Sequence, residues 1–359
     1  MGALPIPEWS FGERFSSRGR HQTHPHRLPR GAALQVASLT RRQWILYRTW
    51  VERWGDGVAP ALDQGRVRWF FALMLISFIF RVLARLPLRF MQAVGAVLGW
   101  LVWMLSPSYR QQMRENLIAA GLPLSVEREA IASAGRMVAE LPWLWMRPHH
   151  QGVLDRIDWE GAEHFEAGMR AGRGVIITSP HLGCWEIGAQ AFAERYGPQY
   201  GPLVAMFRPP RKSWLVPLVS HSRARAWLET APTSMAGIRL LVRTLRSGGY
   251  TALLPDQVPP EGQGVWAPWM GREAYTMTLL PRLVQQTGAL VLMCWCERGT
   301  NGRFTLHMWP MNPPLPTGTS VSLQASATAM NQAVEALVRS HPGQYLWGYA
   351  RHKQPRDEA

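Results

Sequence analysis

What this chain has little of narrows its function before what it has. Of 39 basic residues only Lys212 and Lys353 are lysines, and acidic residues number 24, so arginine carries nearly all of the +15 net charge. That surplus favours anionic partners: phospholipid surfaces, phosphorylated substrates, acidic proteins or nucleic acid. No recognisable nucleic-acid module accompanies it, so nucleic acid is not expected as a partner. Gly-Lys-Ser/Thr does not occur, which removes a phosphate-binding loop; HExxH does not occur, and no cysteine–histidine spacing resembles a zinc site. GxSxG is missing too, so a hydrolase nucleophile elbow is not supported. The cysteines are only Cys184, Cys294 and Cys296, too few for a disulfide framework, and a reducing compartment is the simpler reading. Cys294 and Cys296 lie in an apolar strand-like run whose neighbours point to opposite faces, so pairing between them is not expected. Cys184 lacks the positive surroundings of a thiolate and reads as a packing residue.

What is present is apolar. Hydrophobic residues make up 47% and charged residues 18%, with 18 tryptophans, a composition that suits a protein touching a membrane or a lipid. Residues 1–66 carry Pro5, Pro7, Pro25 and Pro29 and the patch RGRHQTHPHRLPR, with no uncharged apolar run behind the early arginines. They are expected to be a basic, disordered extension. Residues 67–105 hold two apolar runs, 69–80 and 90–105, neither reaching the roughly 20 residues of an independent span. A helix over 69–88 would put Arg81 and Arg85 on one face, where they can snorkel, and Trp69, Trp100 and Trp103 sit where a membrane interface would be. A membrane-associated helical segment is expected over 67–105; the competing reading is two buried helices of a soluble core.

From 106 to 355 the pattern is that of an α/β domain. An amphipathic helix is expected over 106–123, closed by Gly121, with further helices at 125–140 and 161–171. Strands are expected at 174–179, 202–207, 250–255, 289–296 and 303–309, alternating with helices at 182–195, 235–247, 276–287 and 323–340. This gives a single mixed-sheet domain flanked by helices and preceded by membrane-associated helices.

Polar residues collect at the expected carboxyl ends of the strands, where open α/β sheets bind ligands. His181 follows the β-branched run Val175–Thr178, Arg208 follows 202–207, and Asp256 follows 250–255, ahead of the Gly-rich stretch EGQGVWAPWMG. Glu186 stands five positions after His181. On one helix that is an offset of about 140°, so the two can meet only if His181 lies in the loop ahead of the first turn. A histidine held by a carboxylate at such a corner suits a general base. Each residue has a plainer alternative: His181 a cap, Arg208 an exposed arginine beside Arg211 and Lys212, Asp256 a turn residue after Pro255.

The ordered blocks HLGCWEIG, FRPP, RSGGYTALLPDQ and GVWAPWMGREAYTMTLLPRLVQQTGA, with SYRQQMRENL before them and QYLWGYARHK near the end, resemble the lipid A biosynthesis acyltransferase family over roughly residues 67–355. The resemblance implies a fold like that of the glycerol-phosphate acyltransferase superfamily. It also implies transfer of a fatty acyl chain from acyl carrier protein to a hydroxyl of a glycolipid, with no metal or bound cofactor. The family's His-x4-Asp/Glu motif falls on His181 and Glu186, which then act as a base and its carboxylate partner. The arginine block falls on Arg208 and the acidic block on Asp256, as substrate-binding groups. The implied location is the inner membrane with the catalytic domain facing the cytoplasm, and the implied partners are acyl carrier protein, a glycolipid acceptor and the phospholipid surface. The C-terminal block departs from the pattern: Ala350-Arg351-His352-Lys353 stands where an aromatic commonly precedes the lysine. Competing readings are the same chemistry on a lysophospholipid or an aminoacyl or other glycolipid acceptor, and a non-catalytic basic membrane-binding protein.

Overall fold

A computed structural model describes residues 64–356, apart from 149, 209–215, 217–218, 220–222, 224, 317 and 319–320. The extension expected over 1–66 lies almost wholly outside the described residues. Two apolar helices come first, α1 (Gln64–Leu83) and α2 (Leu88–Leu105). The break between them falls at Leu86-Pro87, because the residue before a proline avoids helical geometry. α2 is 18 residues long and, by length and composition, apolar enough to cross a membrane, with only 28% of it buried. The helix begins at Leu88 rather than Phe90, which lengthens this run from 16 to 18 residues, still short of the roughly 20 of the sequence expectation. Val97, Leu98, Leu101, Val102 and Leu105 are exposed along it, and Leu75, Phe78 and Ile79 along α1. Gly95 and Gly99 of α2 meet Gly135 of α4 (Ser125–Met146) backbone to backbone; a β-carbon at Gly135 would lie 2.0 Å from the Gly95 oxygen. α3 (Pro107–Ala119) links the two, started by the Ser106 hydroxyl, which accepts from the Tyr109 N–H.

The remainder is an α/β layer structure. β1 (Ile157–Glu160), α5 (Ala162–Arg170), β2 (Val175–Thr178), α6 (Trp185–Tyr200), β3 (Leu203–Phe207) and β4 (Leu228–Pro232) come first. Then follow α7 (Met235–Arg246), β5 (Tyr250–Leu253), β6 (Gly264–Trp269), β7 (Arg272–Met277), α8 (Leu279–Thr287), β8 (Leu290–Arg298), β9 (Phe304–Pro310) and α9 (Leu323–Ser340). Seven strands form one sheet in the order β1-β9-β8-β2-β5-β3-β4. All neighbours run parallel except β8 and β9, so the sheet is mixed. Every residue of β2 is buried, as expected for a central strand covered on both faces. Val175 and Ile177 pack with α5 and α6, while Ile176 packs with α7, α8 and α9. The same alternation along β8 sends Cys294 and Cys296 to one face and Met293 and Trp295 to the other. Cys294 and Cys296, two apart, therefore share a face, and all three cysteines are free.

Six elements differ most from the sequence expectation. β1 and β4 are sheet-edge strands whose Asp158, Glu160, Glu229 and Pro232 hide a strand signal, though such residues protect an edge. β6 and β7 form a separate hairpin where a Gly-rich loop was expected; Met270 and Gly271 both take positive φ, 48° and 77°, which suits a tight two-residue turn. The hairpin consumes residues up to Met277, so the helix expected from 276 begins at Leu279. Finally, α6 starts at Trp185 instead of 182 and continues through Pro198 to Tyr200.

Candidate active site

The late start of α6 creates the site. β2 ends at Thr178, and its two neighbours on one side, β5 and β3, end beside it. The loop His181-Leu182-Gly183-Cys184 that leaves β2 is tied down backbone to backbone instead of coiling into helix. Leu346 N–H donates to the His181 carbonyl at 3.1 Å, Gly183 N–H to the Gln344 carbonyl at 3.1 Å, and Cys184 N–H to the Cys296 carbonyl at 2.8 Å. Gly183 adopts φ of 62°, and a β-carbon there would stand 2.0 Å from the Cys296 oxygen, so glycine is required. Beneath the loop, the buried Arg298 guanidinium donates to the Gly183 carbonyl at 2.7 Å, to the Ser133 hydroxyl at 3.0 Å and to Glu140 at 2.8 Å. Gln92 of α2 donates to the same Glu140 carboxylate at 2.9 Å. Burial, then the Glu140 charge, pushes the Cys184 thiol well up, so this cysteine packs rather than attacks.

Held this way, His181 meets the carboxylate that follows β5 rather than the one on α6. Its ring Nδ1 lies 2.7 Å from Asp256 Oδ1, and its backbone N–H donates to Asp256 Oδ2 at 2.9 Å. The ring carboxylate is thus Asp256, not Glu186. Burial pushes the Asp256 carboxyl up, but the His181 charge, the two His181 hydrogen bonds and the Arg351 charge outweigh it, leaving the pKa lowered and the group ionised. Burial, followed by the Asp256 charge, pushes the Tyr345 phenol well up. Arg351 is buried as well, donating to the Tyr275 carbonyl at 2.7 Å and the Thr276 hydroxyl at 2.8 Å.

An ionised carboxylate on Nδ1 fixes the tautomer: Nδ1 carries the hydrogen and Nε2 the lone pair. Gln257 Nε2 stands 3.0 Å from His181 Nε2, so its amide N–H donates to that lone pair. Trp185 packs edge-on against the imidazole, with ring centroids 4.7 Å apart.

His181 and Gln257 open onto a cavity of about 1160 Å³, which Glu186, Arg208 and Arg223 also line. Glu186 lies in the first turn of α6, where the helix dipole favours a carboxylate, and pairs with Arg223. Arg223 in turn lies over the Phe207 ring, 4.5 Å from its centroid. Arg208 follows β3 directly. Deeper walls are apolar, with Ile177, Phe192, Leu203, Cys294 and Cys296. All four residues expected from sequence therefore gather at one end of the sheet. The structure brings His181 onto Asp256 and seats Glu186 on Arg223. Gln257, Arg223, Tyr345 and Arg351 were missed. Gln257 was legible as the neighbour of Asp256, and Arg351 as the departure in the C-terminal block; nothing in sequence singled out Arg223 or Tyr345. Among the described residues, no group of three or more His, Cys, Asp and Glu side chains is placed to hold a metal ion.

A neutral imidazole lone pair at the mouth of a largely apolar cavity, with guanidiniums at its rim, can deprotonate a hydroxyl presented by an anionic, lipid-like ligand. Comparison with known proteins points the same way. The sequence profile of a family described as bacterial lipid A biosynthesis acyltransferase matches residues 65–354. The chain is 27% identical over 291 residues to lipid A biosynthesis acyltransferase 2 of Shigella flexneri, covering 78% of this chain and 88% of that protein. It is 23% identical over 325 residues to the lipid A biosynthesis lauroyltransferase of Escherichia coli (strain K12), covering 89% and 94%. With the lipid A biosynthesis myristoyltransferase of the same strain it shares 26% identity over 272 residues, 74% and 81% of the two chains.

Proposed function

The chain belongs to the bacterial lipid A biosynthesis acyltransferase family, and on that premise we propose that it moves a fatty acyl chain from acyl carrier protein to a hydroxyl of a lipid A precursor at the inner membrane, its catalytic domain facing the cytoplasm. The observation that carries this reading is the His181 ring, fixed by Asp256 on one nitrogen and presenting the other to the cavity.

The acceptor oxygen attacks the thioester carbonyl carbon while His181 Nε2 takes the hydroxyl proton. An alcohol is a poor nucleophile near neutral pH, and a positioned base contributes on the order of 10² to 10⁴ in rate. The imidazolium that forms is stabilised by the ionised Asp256 2.7 Å away, whose other oxygen accepts from the His181 backbone N–H and keeps the carboxylate from turning. Collapse of the tetrahedral intermediate breaks the carbon–sulfur bond, and the departing thiolate recovers the proton from His181. No enzyme nucleophile is needed. The acceptor hydroxyl must displace the Gln257 amide from Nε2, and the freed N–H is then within reach of the developing oxyanion. Arg208 and Arg223 meet the anionic groups of the acceptor as planar, fork-shaped donors. Glu186 keeps Arg223 in place and stands on the acceptor side of the cavity. The acyl chain occupies the apolar depth, and exposed apolar residues of α1 and α2 enter the bilayer.

The test is transfer of a labelled acyl chain from its carrier protein to a lipid A precursor by membranes containing the full chain, alongside mass spectrometry of lipid A with and without the protein. Loss of one secondary acyl chain is the expected result. An unchanged lipid A with an altered phospholipid profile would move the acceptor to another lipid class. No transfer from any donor would reduce the protein to a membrane-binding one.

A further inference from the structure

The outer face of α7 is not used by this chemistry, yet it carries an organised charge. The helix MAGIRLLVRTLR turns Gly237, Leu241, Val242 and Leu245 inward and leaves Arg239, Arg243 and Arg246 exposed. At about 100° per residue these arginines fall within roughly 60° of one another, forming a single row. The helix has no acidic residue, and among the described residues none of the three has a carboxylate partner. Like charges at such spacing repel by a few tenths of a kcal/mol per pair, so the row is a local cost with no compensation inside the fold.

We propose that this row is the docking surface for the acidic carrier protein that delivers the acyl thioester, an inference that rests on the donor reading given above. Two features of position select that occupant. Ser234, Met235 and Ile238, at the start of α7, line the cavity, so the row begins at the cavity rim and a tethered thioester docked there lies near the opening. α7 packs on β3, β4 and β5, at one end of the sheet order. α2, the apolar helix suited to the bilayer, packs on α4 and on the turn Thr300–Gly302 just ahead of β9, at the other end. A basic row facing lipid headgroups would belong beside α2. Its place across the sheet fits a soluble anionic partner, for which a row of fixed charges raises the encounter rate by 10- to 10³-fold.

The test compares two donors with the full-length protein in detergent: acyl carrier protein thioester and the same acyl chain on a small pantetheine thioester. For Arg239→Glu/Arg243→Glu, kcat/KM with the carrier donor is expected to fall about 10- to 100-fold, chiefly through KM, while the small donor stays within about 2-fold. Arg239→Gln/Arg243→Gln should fall between, and added salt should narrow the gap. Equal loss with both donors, or no loss with the carrier, overturns the proposal. So does a loss of binding to anionic phosphatidylglycerol vesicles with carrier kinetics intact. If wild type itself shows no preference for the carrier, the donor reading fails and takes this surface with it. A preference that survives charge reversal refutes the surface alone.

Discussion

Asp256→Asn is the perturbation that separates the observed geometry from the motif-based one. Asp256 accepts from His181 Nδ1 at 2.7 Å and from the His181 backbone N–H at 2.9 Å. Asparagine keeps one oxygen for the backbone N–H, but must turn its NH₂ toward Nδ1. The ring then adopts the other tautomer, with the hydrogen on Nε2 and no lone pair left for the acceptor hydroxyl. Loss of a correctly held base costs roughly 10² to 10⁴ in kcat, or about 3 to 5 kcal/mol of transition-state stabilisation. Glu186→Gln, by contrast, touches Arg223 and not the ring, so its effect on kcat is expected to stay below about 10-fold. Single-turnover transfer of a labelled acyl chain, with thermal unfolding as a check on folding, reads both. Were folded Asp256→Asn to stay within about 10-fold of wild type, or Glu186→Gln to fall as far, the His181–Asp256 pairing would not be the working one.

Three further outcomes follow from the same contacts. Asp256 has a lowered pKa in the folded protein, so its stabilising contribution is present above the unfolded carboxyl value of about 4 and lost as pH falls through the folded value; unfolding temperatures of wild type and Asp256→Asn should therefore converge as pH drops below about 4. Gln257→Ala removes a donor that the acceptor hydroxyl must displace, and a net hydrogen bond of ~0.5–1.5 kcal/mol predicts a KM for the acceptor lower by about 2- to 10-fold, measured by steady-state kinetics at saturating donor. Glu140→Gln breaks the pair with Arg298, whose two side chains are 0% and 4% exposed, and should cost about 3 to 5 kcal/mol; an unchanged unfolding temperature would mean the clamp under the His181 loop is not structural.

The sheet was legible where its strands are central, because β2, β5 and β8 are covered on both faces and read as unbroken apolar runs. Edge strands β1 and β4 were not, since their charges and Pro232 answer to edge protection rather than to burial. Likewise the β6–β7 hairpin hid behind glycines that turned out to serve its turn and entry. At the site, the sequence placed His181, Arg208 and Asp256 at strand ends correctly, because that follows from strand periodicity. It could not reveal which carboxylate the imidazole meets. Five-residue spacing makes Glu186 the local choice, while Asp256 is brought over from β5, 75 positions away, by strand order alone. Arg298, Glu140 and Gln344, which hold the loop, belong to three distant segments and carry no local signal.

The attachment of the His181 loop to residues 344–346, and the Arg351 charge that acts on Asp256, have a consequence for truncated forms of the chain. The partners that fix His181 and Asp256 come later in the sequence than either, at residues 344–346 and 351. A molecule cut ahead of Gln344 keeps α1, α2 and every residue that lines the cavity, yet lacks the contacts that order the His181 loop. Truncation ahead of Gln344, far from the motif in sequence, should therefore silence the protein as thoroughly as loss of the histidine.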